Sequence, residues 1–148
     1  MAQALSLTAD QVKRYSRHII MPQVGSSGQR KLLNSKVLIV GAGGLGSPIS
    51  IYLTLAGVGE IGIVDFDSVD VTNLQRQILH YDSDIGRSKV TSAKETLNAY
   101  NPETEITLFE EPLNSENAIE IMSQFDVVVN GADNFAARYL INDAAYLC

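Results

Sequence analysis

Cysteine is nearly absent from this sequence, since Cys148 is the only one among 148 residues. An internal disulfide is therefore excluded, and so is a zinc site built from several cysteines of this chain. This cysteine usage fits a reducing, cytoplasmic setting, which is our expectation. Positive charge is also scarce, because 11 Lys and Arg stand against 17 Asp and Glu, giving a net charge of −6. We therefore expect no nucleic-acid partner, and any anionic ligand must be held by local cations and backbone N–H groups.

The sequence also lacks the features of a secretory leader or a membrane span. No basic start followed by an apolar run occurs before Asp10. Residues 37–59 carry no charge and are long enough to cross a membrane as a helix, but they contain six glycines and Pro48. A buried strand, a glycine turn and a buried helix explain the same residues, so we expect no membrane partner.

Apolar runs that alternate with helical patterns predict an α/β protein. The predicted strands are Lys36–Val40, Glu60–Val64, Glu105–Phe109 and Asp126–Asn130. The predicted helices are Ser47–Ala56, a segment that begins at Ser88 and ends at Asn101, Asn114–Gln124, and Asn134–Leu147. Because parallel strands need crossover connections, this order indicates a Rossmann-like parallel sheet with helices on both faces.

A helical arm over residues 1–35 is predicted ahead of the Rossmann-like domain, which takes residues 36–148. Thr8 and Gln11 have the form of a capping box, which favours a helix start. A second short helix is predicted at Gln29–Leu33. The residues expected to break the chain between the two helices are Pro22, Gly25 and Gly28.

The turn after the first strand has the sequence GAGGLG at residues 41–46, which matches the GxGxxG pattern between a strand and a helix. Glycine permits the tight turn and lets a phosphate approach backbone N–H groups at a helix N-terminus. A glycine-rich packing turn is the alternative. The motif predicts nucleotide binding, without specifying the nucleotide.

An acid follows the second strand directly, as in sites where a carboxylate accepts hydrogen bonds from ribose hydroxyls. This acid is Asp65, and Asp67 and Asp70 lie nearby. Each of the three is also suited to capping or solvating a loop. Up to this point NAD and ATP fit the sequence equally well.

Polar and basic residues in the long irregular stretch decide between the two nucleotides. Asn73 and Arg76 lie in this stretch, and Lys89 begins the next helix. A triphosphate calls for cations beyond the glycine turn. Taken alone, Arg76 and Lys89 are more typical of a solvated surface. Lys89 lies at a helix start, where the helix dipole disfavours a cation, and this is a mild indication of a bound anion.

Asp133 and Asn134 follow the fourth strand. Asp133 is a candidate ligand of Mg²⁺, which usually takes one or two protein carboxylates together with phosphates and waters. From the segment alone, however, an N-cap of the last helix is the favoured role for Asp133.

Arg17 in the arm either reaches a neighbouring subunit or is solvated, and the segment alone favours solvation. His80 is isolated and is not interpreted as a metal ligand.

Several blocks, taken in chain order, strongly resemble the ThiF/MoeB/HesA family of bacterial relatives of ubiquitin-activating enzymes. They are RYSRHII, GAGGLGSP, VDFDSVDVTNLQRQILH and GADNFAARYLIND. The resemblance runs from about Tyr15 to Leu147. It implies an adenylyltransferase that uses ATP and Mg²⁺ to adenylate the C-terminal glycine carboxylate of a ubiquitin-like sulfur-carrier protein, of the thiamin or molybdopterin biosynthesis type, with release of pyrophosphate.

The resemblance also implies a role for each motif residue. The implied nucleotide-binding residues are Gly41, Gly43, Gly44, Asp65, Asn73, Arg76, Lys89, Asp133 and Asn134. The implied catalytic residues are Asp133, Arg76, Lys89 and Arg17. Asp133 is also implied as the Mg²⁺-linked aspartate, which reverses the preference for a helix cap. Arg17 is implied to reach into the partner subunit's site, so a homodimer is expected.

The chain departs from the family by its length. Family members run further, through zinc-binding CxxC pairs, a loop that often bears a nucleophilic cysteine, and strands that grip the carrier. Zinc is expected in the full-length family, but its ligands are absent here, so we expect a truncated chain whose nucleotide site lacks a complete carrier-binding surface. Two alternatives remain, namely a non-catalytic nucleotide-binding or dimerisation fragment and an NAD-binding dehydrogenase module. The second leaves Asn73, Arg76 and Lys89 without a use.

Overall fold

The computed structural model describes residues 6–148, and its centre is one parallel sheet. The four strands are β1 (Lys36–Val40), β2 (Glu60–Val64), β3 (Glu105–Phe109) and β4 (Val127–Asn130), in the spatial order β3-β2-β1-β4. All neighbouring pairs are parallel, which confirms the predicted sheet. β4 begins one residue later than predicted. Asp126, just before it, still contacts the start of β1, since its N–H donates to the Lys36 carbonyl at 2.9 Å and its carboxylate accepts from the Lys36 N–H at 2.8 Å.

Seven α-helices lie within the described residues. They are α1 (Ala9–Arg14), α2 (Ser16–Ile19), α3 (Gly25–Leu33), α4 (Gly46–Ala56), α5 (Lys89–Tyr100), α6 (Ala118–Met122) and α7 (Phe135–Leu147). α6 is shorter than the predicted helix over residues 114–124. The side-chain oxygens of Asn114 and Asn117 accept hydrogen bonds from nearby backbone N–H groups and form a turn there instead of a helix.

Helices cover both faces of the sheet, as the sequence predicts. Side chains alternate along β1, so Val37 and Ile39 face one layer while Leu38 and Val40 face the other. The first layer is packed by α4 and α5 and the second by α6 and α7. The buried helix residues of the first layer are Ile51, Val90, Ala93 and Leu97, and those of the second are Ala118, Ile121, Met122, Ile141 and Ala144.

The described part of the arm is packed against the Rossmann-like domain, while residues 1–5 of the predicted arm lie outside the described residues. Tyr15, which is 2% exposed, accepts a hydrogen bond from Asn101 Nδ2 at 2.9 Å. Gly57 has φ +85°, and a β-carbon there would lie 2.5 Å from Cζ of Tyr15. Because Gly57 has no β-carbon, the Tyr15 ring packs directly against the end of α4, and this contact holds the arm in place.

Two predictions for the arm have different outcomes. The capping box of Thr8 and Gln11 is confirmed, since each side chain accepts from the other residue's backbone N–H. The chain does break between α2 and α3, at residues 20–24, which include Pro22, and Gly25 has φ +59° where α3 begins. The predicted break at Gly28 and the predicted helix start at Gln29 are wrong, because α3 already begins at Gly25 and contains both residues. A β-carbon at Gly28 would lie 3.1 Å from a methyl carbon of Val24, so the small residue suits a tight first turn of this helix.

The fold brings three strand ends together at one crevice. The chain leaves β1 toward β2 on one side, whereas β4 pairs with the other side of β1. Such a switch point in a parallel sheet opens a crevice beyond the carboxyl ends of the strands. Among residues 6–148, no helix is both long and apolar enough to cross a membrane.

Candidate nucleotide-binding site

A cavity of about 780 Å³ lies at the carboxyl ends of β1, β2 and β4. This volume falls in the range of roughly 300–1,000 Å³ that is typical of small-molecule sites. The predicted site residues that line it are Gly41, Gly43, Gly44, Asp65, Arg76, Lys89, Asp133 and Asn134. A smaller cavity, of about 490 Å³, lies at the amino ends of the strands beside Lys36, Glu60 and Glu105, away from these residues.

The glycine turn needs glycine for steric reasons at two positions. Gly41 has φ +98°, and a β-carbon there would lie 2.9 Å from the carbonyl oxygen of Gly131. A β-carbon on Gly46 would overlap the carbonyl oxygen of Gly41. These contacts draw the turn tightly between β1 and the start of α4, with the N-terminal end of that helix at the cavity.

Backbone N–H groups of this turn are free to bind an anion. Within residues 6–148, the N–H groups of Gly43, Gly44 and Leu45 have no hydrogen-bond acceptor. They lie at the N-terminal end of α4, where the helix dipole adds a favourable potential for negative charge. The turn therefore has the donors and the field that a phosphate group requires.

Asp65 holds the glycine turn in place. Its Oδ2 accepts from the Ala42 N–H at 2.8 Å, and its Oδ1 accepts from the Asp67 N–H at 2.9 Å. Loop capping, the alternative that the sequence left open, is thus one use of this carboxylate. Each ionised carboxylate oxygen accepts more than one hydrogen bond, so the side chain keeps acceptor capacity toward the cavity.

Two cations lie at the cavity, each fixed by a different contact. The Lys89 ammonium is 2.7 Å from Asp67 Oδ2, and only 6% of its side chain is exposed. Arg76 is exposed, and one of its guanidinium nitrogens donates to the Thr72 carbonyl at 3.1 Å. The aliphatic part of Arg76 lies 3.4 Å from the position that a β-carbon of Gly44 would take, so this side chain crosses the glycine turn.

Asn134, not Asp133, caps the last helix. Asn134 Oδ1 accepts from the Ala137 N–H at 2.9 Å, which is a standard N-cap contact. The cap role that the segment favoured for Asp133 is therefore wrong. The Asp133 carboxylate is exposed at the cavity and accepts no hydrogen bond from any other described residue.

The free carboxylate of Asp133 fits Mg²⁺, which is usually bound through one or two carboxylates with phosphates and waters completing the shell. Residues 6–148 contain no group of three or more His, Cys, Asp or Glu side chains placed to hold a metal ion by themselves. A magnesium ion at Asp133 would therefore depend on phosphate oxygens of a bound nucleotide.

Two predicted site residues do not line the cavity. Asn73 ends a short 3₁₀ turn, and its carbonyl accepts from the N–H groups of Arg76 and Gln77 at 3.1 and 3.0 Å. It thereby shapes the turn that carries Arg76. Arg17 is exposed on α2, outside the residues that line the cavity of its own chain. Its role at a partner's site stays a prediction.

The structure also shows cavity residues that the sequence analysis missed. Gln77 is 4% exposed and lines the cavity, and its buried Oε1 has no hydrogen-bond partner among the described residues. An unpaired buried acceptor is costly, so Gln77 is suited to accept from a ligand. Arg138 lines the cavity as well, and its Nε donates to the Ala132 carbonyl at 2.9 Å. From the sequence alone, neither a neutral amide such as Gln77 nor an arginine inside a helix such as Arg138 can be recognised as a residue that lines the cavity.

Comparison with known proteins identifies the family. Residues 15–147 match the ThiF family, and the chain belongs to it. The probable adenylyltransferase/sulfurtransferase MoeZ of Mycobacterium tuberculosis is 52% identical over 144 residues, which are 97% of this chain and 37% of MoeZ. The sulfur carrier protein adenylyltransferase of Thermus thermophilus is 47% identical over 95% of this chain and 52% of its own length. The chain thus spans between about a third and a half of these curated relatives.

A solved structure places the same fold beside a nucleotide analogue. The crystal structure of E. coli MccB with AMPCPP and MccA has a TM-score of 0.74 and 34% sequence identity to this chain. The match covers 83% of this chain and 38% of that one. The fold described above therefore recurs in a protein whose crystal structure contains AMPCPP.

Proposed function

We propose that this chain forms the ATP-binding part of an adenylyltransferase that activates the C-terminal glycine carboxylate of a ubiquitin-like sulfur-carrier protein. One observation carries the proposal, namely that Arg76, Lys89 and Asp133 line the same cavity as the free N–H groups of the glycine turn. Membership of the ThiF family and the names of the relatives support it.

The nucleotide is held by groups of three kinds. The N–H groups of Gly43 and Gly44 and the start of α4 bind phosphate oxygens. Asp65 accepts from ribose hydroxyls with the acceptor capacity that its contacts to Ala42 and Asp67 leave. Asn73 is proposed to contact a phosphate as well, and its turn already orients Arg76 toward the cavity. Gly41 and Asn134 set the backbone at the two ends of this site.

The proposed reaction needs no general base. An ionised carboxylate oxygen of the carrier attacks the α-phosphorus of ATP, the new C–O–P linkage forms, and the bond to pyrophosphate breaks with its electron pair leaving on the pyrophosphate. Arg76 and Lys89 stabilise the negative charge that grows on this leaving group. Asp133 would hold Mg²⁺, which supplies further stabilisation of phosphate charge.

The partners of the whole protein are proposed from the same resemblance. A homodimer would bring Arg17 of one subunit to the cavity of the other, and Arg17 is exposed in the single chain. The carrier would belong to thiamin or molybdopterin biosynthesis. Zinc is proposed only for longer family members. The single cysteine supports a cytoplasmic setting.

The test of the reaction is ATP–pyrophosphate exchange, measured with this chain and a high concentration of a ubiquitin-like carrier that ends in a glycine carboxylate. We expect exchange that is lost when the carrier terminus is amidated. Asp133→Asn should reduce exchange by about 10²–10³-fold, the size seen when a transition-state electrostatic contact is removed. Asp143→Asn, an exposed aspartate on α7, is the matched control and should change nothing. Exchange at the normal rate in Asp133→Asn would remove this residue from the reaction.

The homodimer is tested by mixing two inactive variants, Arg17→Ala and Asp133→Ala. If the arginine acts across the interface, a mixed dimer contains one site with both native residues, and activity returns on mixing. Absence of recovery in mixed dimers, with dimerisation checked by light scattering, would contradict this geometry.

A further inference from the structure

A chain of buried hydrogen bonds connects the glycine turn to the interior of the protein. His80 is 6% exposed, its Nε2 lies 3.2 Å from the Ala42 carbonyl oxygen, and its Nδ1 lies 2.8 Å from Ser92 Oγ. Ser92 Oγ lies 2.8 Å from Asp84 Oδ2. The proposed reaction makes no use of this histidine, and no role for it was predicted from the sequence.

The hydrogen on Nε2 follows from its partner. A carbonyl oxygen only accepts, so His80 Nε2 must donate to Ala42. Burial lowers the pKa of His80, the hydrogen bond to the Ala42 carbonyl opposes this, and the positive charge of Lys89 lowers the pKa further. The ring is therefore neutral near neutral pH, with its hydrogen on Nε2. In the neutral ring Nδ1 has no hydrogen, so it accepts the hydrogen of the Ser92 hydroxyl. When the ring is protonated, Nδ1 donates to Ser92 Oγ and the hydroxyl donates to Asp84 Oδ2. Nε2 donates to Ala42 in both states.

The Ala42 carbonyl is fixed by two buried donors. His80 Nε2 is one, and Ser47 Oγ, which lies 3.3 Å away on a fully buried side chain, is the other. In a trans peptide the C=O of one residue and the N–H of the next point in opposite directions. Because the Ala42 carbonyl points to these buried side chains, the N–H of Gly43 points away from them, and Gly43 lines the cavity.

Without these two donors the peptide would be poorly fixed. Glycine occupies both positions beside Ala42, and glycine backbones reach conformations that other residues avoid. A peptide that turned over would present the Ala42 carbonyl to the cavity, and a carbonyl oxygen repels a phosphate.

We propose that His80 is a positioning residue for phosphate binding, which acts by holding the Ala42 carbonyl so that the Gly43 N–H faces the phosphate. This inference rests on the proposed function, since it takes a nucleotide phosphate as the anion at Gly43.

Two substitutions at His80 separate this role from simple packing. In His80→Gln the amide nitrogen reaches the position of Nε2 and still donates to Ala42. In His80→Asn the amide reaches only the position of Nδ1, so the contact with Ser92 is retained and the donor to Ala42 is lost. Binding of ATP with Mg²⁺ and binding of adenosine are each measured by calorimetry. Adenosine is the internal control because it has no phosphate.

We expect His80→Asn to weaken ATP binding about fivefold to tenfold, which corresponds to the loss of one hydrogen bond. His80→Gln should stay within about twofold of the native chain, and adenosine should bind equally well to all three. Equal loss of ATP in both variants, or loss of adenosine in step with ATP, would mean that His80 only supports the fold and would overturn the proposal. Unchanged ATP binding in His80→Asn would overturn it too.

Two further variants keep the test decisive if His80→Asn does not fold. Ser47→Ala removes the other donor to the Ala42 carbonyl, and we expect a loss of ATP affinity of about twofold to threefold with adenosine unchanged. Ser92→Ala leaves the bond to Ala42 intact and should bind ATP normally. If Ser92→Ala weakened ATP as much as Ser47→Ala, the buried network as a whole would be responsible and the proposal would fail. Absence of ATP binding by the native chain would instead refute the proposed function itself.

Discussion

The Lys89 ammonium lies 2.7 Å from the Asp67 carboxylate, although 6% of the Lys89 side chain and 54% of the Asp67 side chain are exposed. The two residues are also joined through the backbone, where the Lys89 N–H donates to the Asp67 carbonyl at 3.0 Å. Lys89 begins α5, a position at which the helix dipole disfavours a cation. Asp67 supplies the opposing charge, so the unusual placement does not by itself require a bound anion. It does keep a buried cation at the edge of the cavity.

Removal of the Lys89 charge should weaken phosphate binding selectively. We expect Lys89→Met to reduce affinity for ATP with Mg²⁺ by about tenfold or more, because a charge-assisted contact to phosphate is lost. Adenosine should bind as before. Lys94→Met, an exposed lysine on the same helix, is the control and should bind both ligands normally. Calorimetric titration distinguishes these outcomes, and equal ATP affinity in Lys89→Met and the native chain would place Lys89 outside the site.

Loss of the Asp67 charge should lower stability. Breaking a buried ion pair costs about 3–5 kcal/mol and an exposed one at most about 1 kcal/mol, so this half-exposed pair should cost about 1–3 kcal/mol in Asp67→Asn. Glu110→Gln, an exposed acid at the end of β3, is the matched control and should have little effect. Urea unfolding measures the free energy. An Asp67→Asn variant as stable as Glu110→Gln would show that the pair makes no net contribution.

Gly57 and Gly86 provide a matched pair for the contact between the arm and the domain. Both have positive φ, at +85° and +84°, but a β-carbon at Gly57 would meet the Tyr15 ring whereas nothing lies within 4 Å of one at Gly86. Alanine at Gly86 should therefore cost about 1–2 kcal/mol from backbone strain alone. Alanine at Gly57 should cost about 1–3 kcal/mol more, because Tyr15 must move. Equal melting temperatures for the two variants would mean that Tyr15 does not fix the arm there.

Stability should fall on mild acidification, in part because of His80. Folding lowers the pKa of this residue below the 6.5 of a free histidine, chiefly through burial. The unfolded chain therefore binds more protons than the folded chain as the pH drops below that value, and the free energy of unfolding decreases. The contribution is fully present above the unfolded pKa and is lost as the pH falls toward the folded one. In His80→Gln the decrease between about pH 7.5 and about pH 5.5 should be smaller. An identical pH slope in both proteins would contradict the lowered pKa.

The fold was predictable because its signals are local. The apolar run at Lys36–Val40, the glycine turn after it and the capping box at Thr8 each specify their structure within a few residues. Prediction failed where tertiary contacts set the boundary of an element, or where two adjacent residues could each take the same role. Gly28 taken in isolation suggests a chain break, but it lies inside α3. Asp133 and Asn134 are both residue types that cap helices, but only Asn134 is in position to accept a hydrogen bond from the Ala137 N–H.

The candidate site was only partly predictable for the same reason. Charged residues and glycines that follow predicted strands are recognised as candidate site residues from the sequence, and most of those predicted here line the cavity. Gln77 and His80 are uncharged, and their contacts depend on how a long irregular segment folds back over the glycine turn. Arg17 belongs to an arm whose proposed target lies on another subunit, so a single chain neither brings it to the cavity nor excludes that role.

We propose that the cavity binds ATP with Mg²⁺ through the glycine turn, Arg76, Lys89 and Asp133. The most direct measurement of this binding is the melting temperature of the chain with different nucleotides. At a concentration of about 100 times the dissociation constant, a ligand adds about 2.7 kcal/mol of stability. We predict a clear rise in melting temperature with ATP and Mg²⁺, a smaller rise with ATP when Mg²⁺ is removed by a chelator, and no rise with NAD. Stabilisation by NAD and none by ATP would contradict the assignment and favour the dehydrogenase alternative.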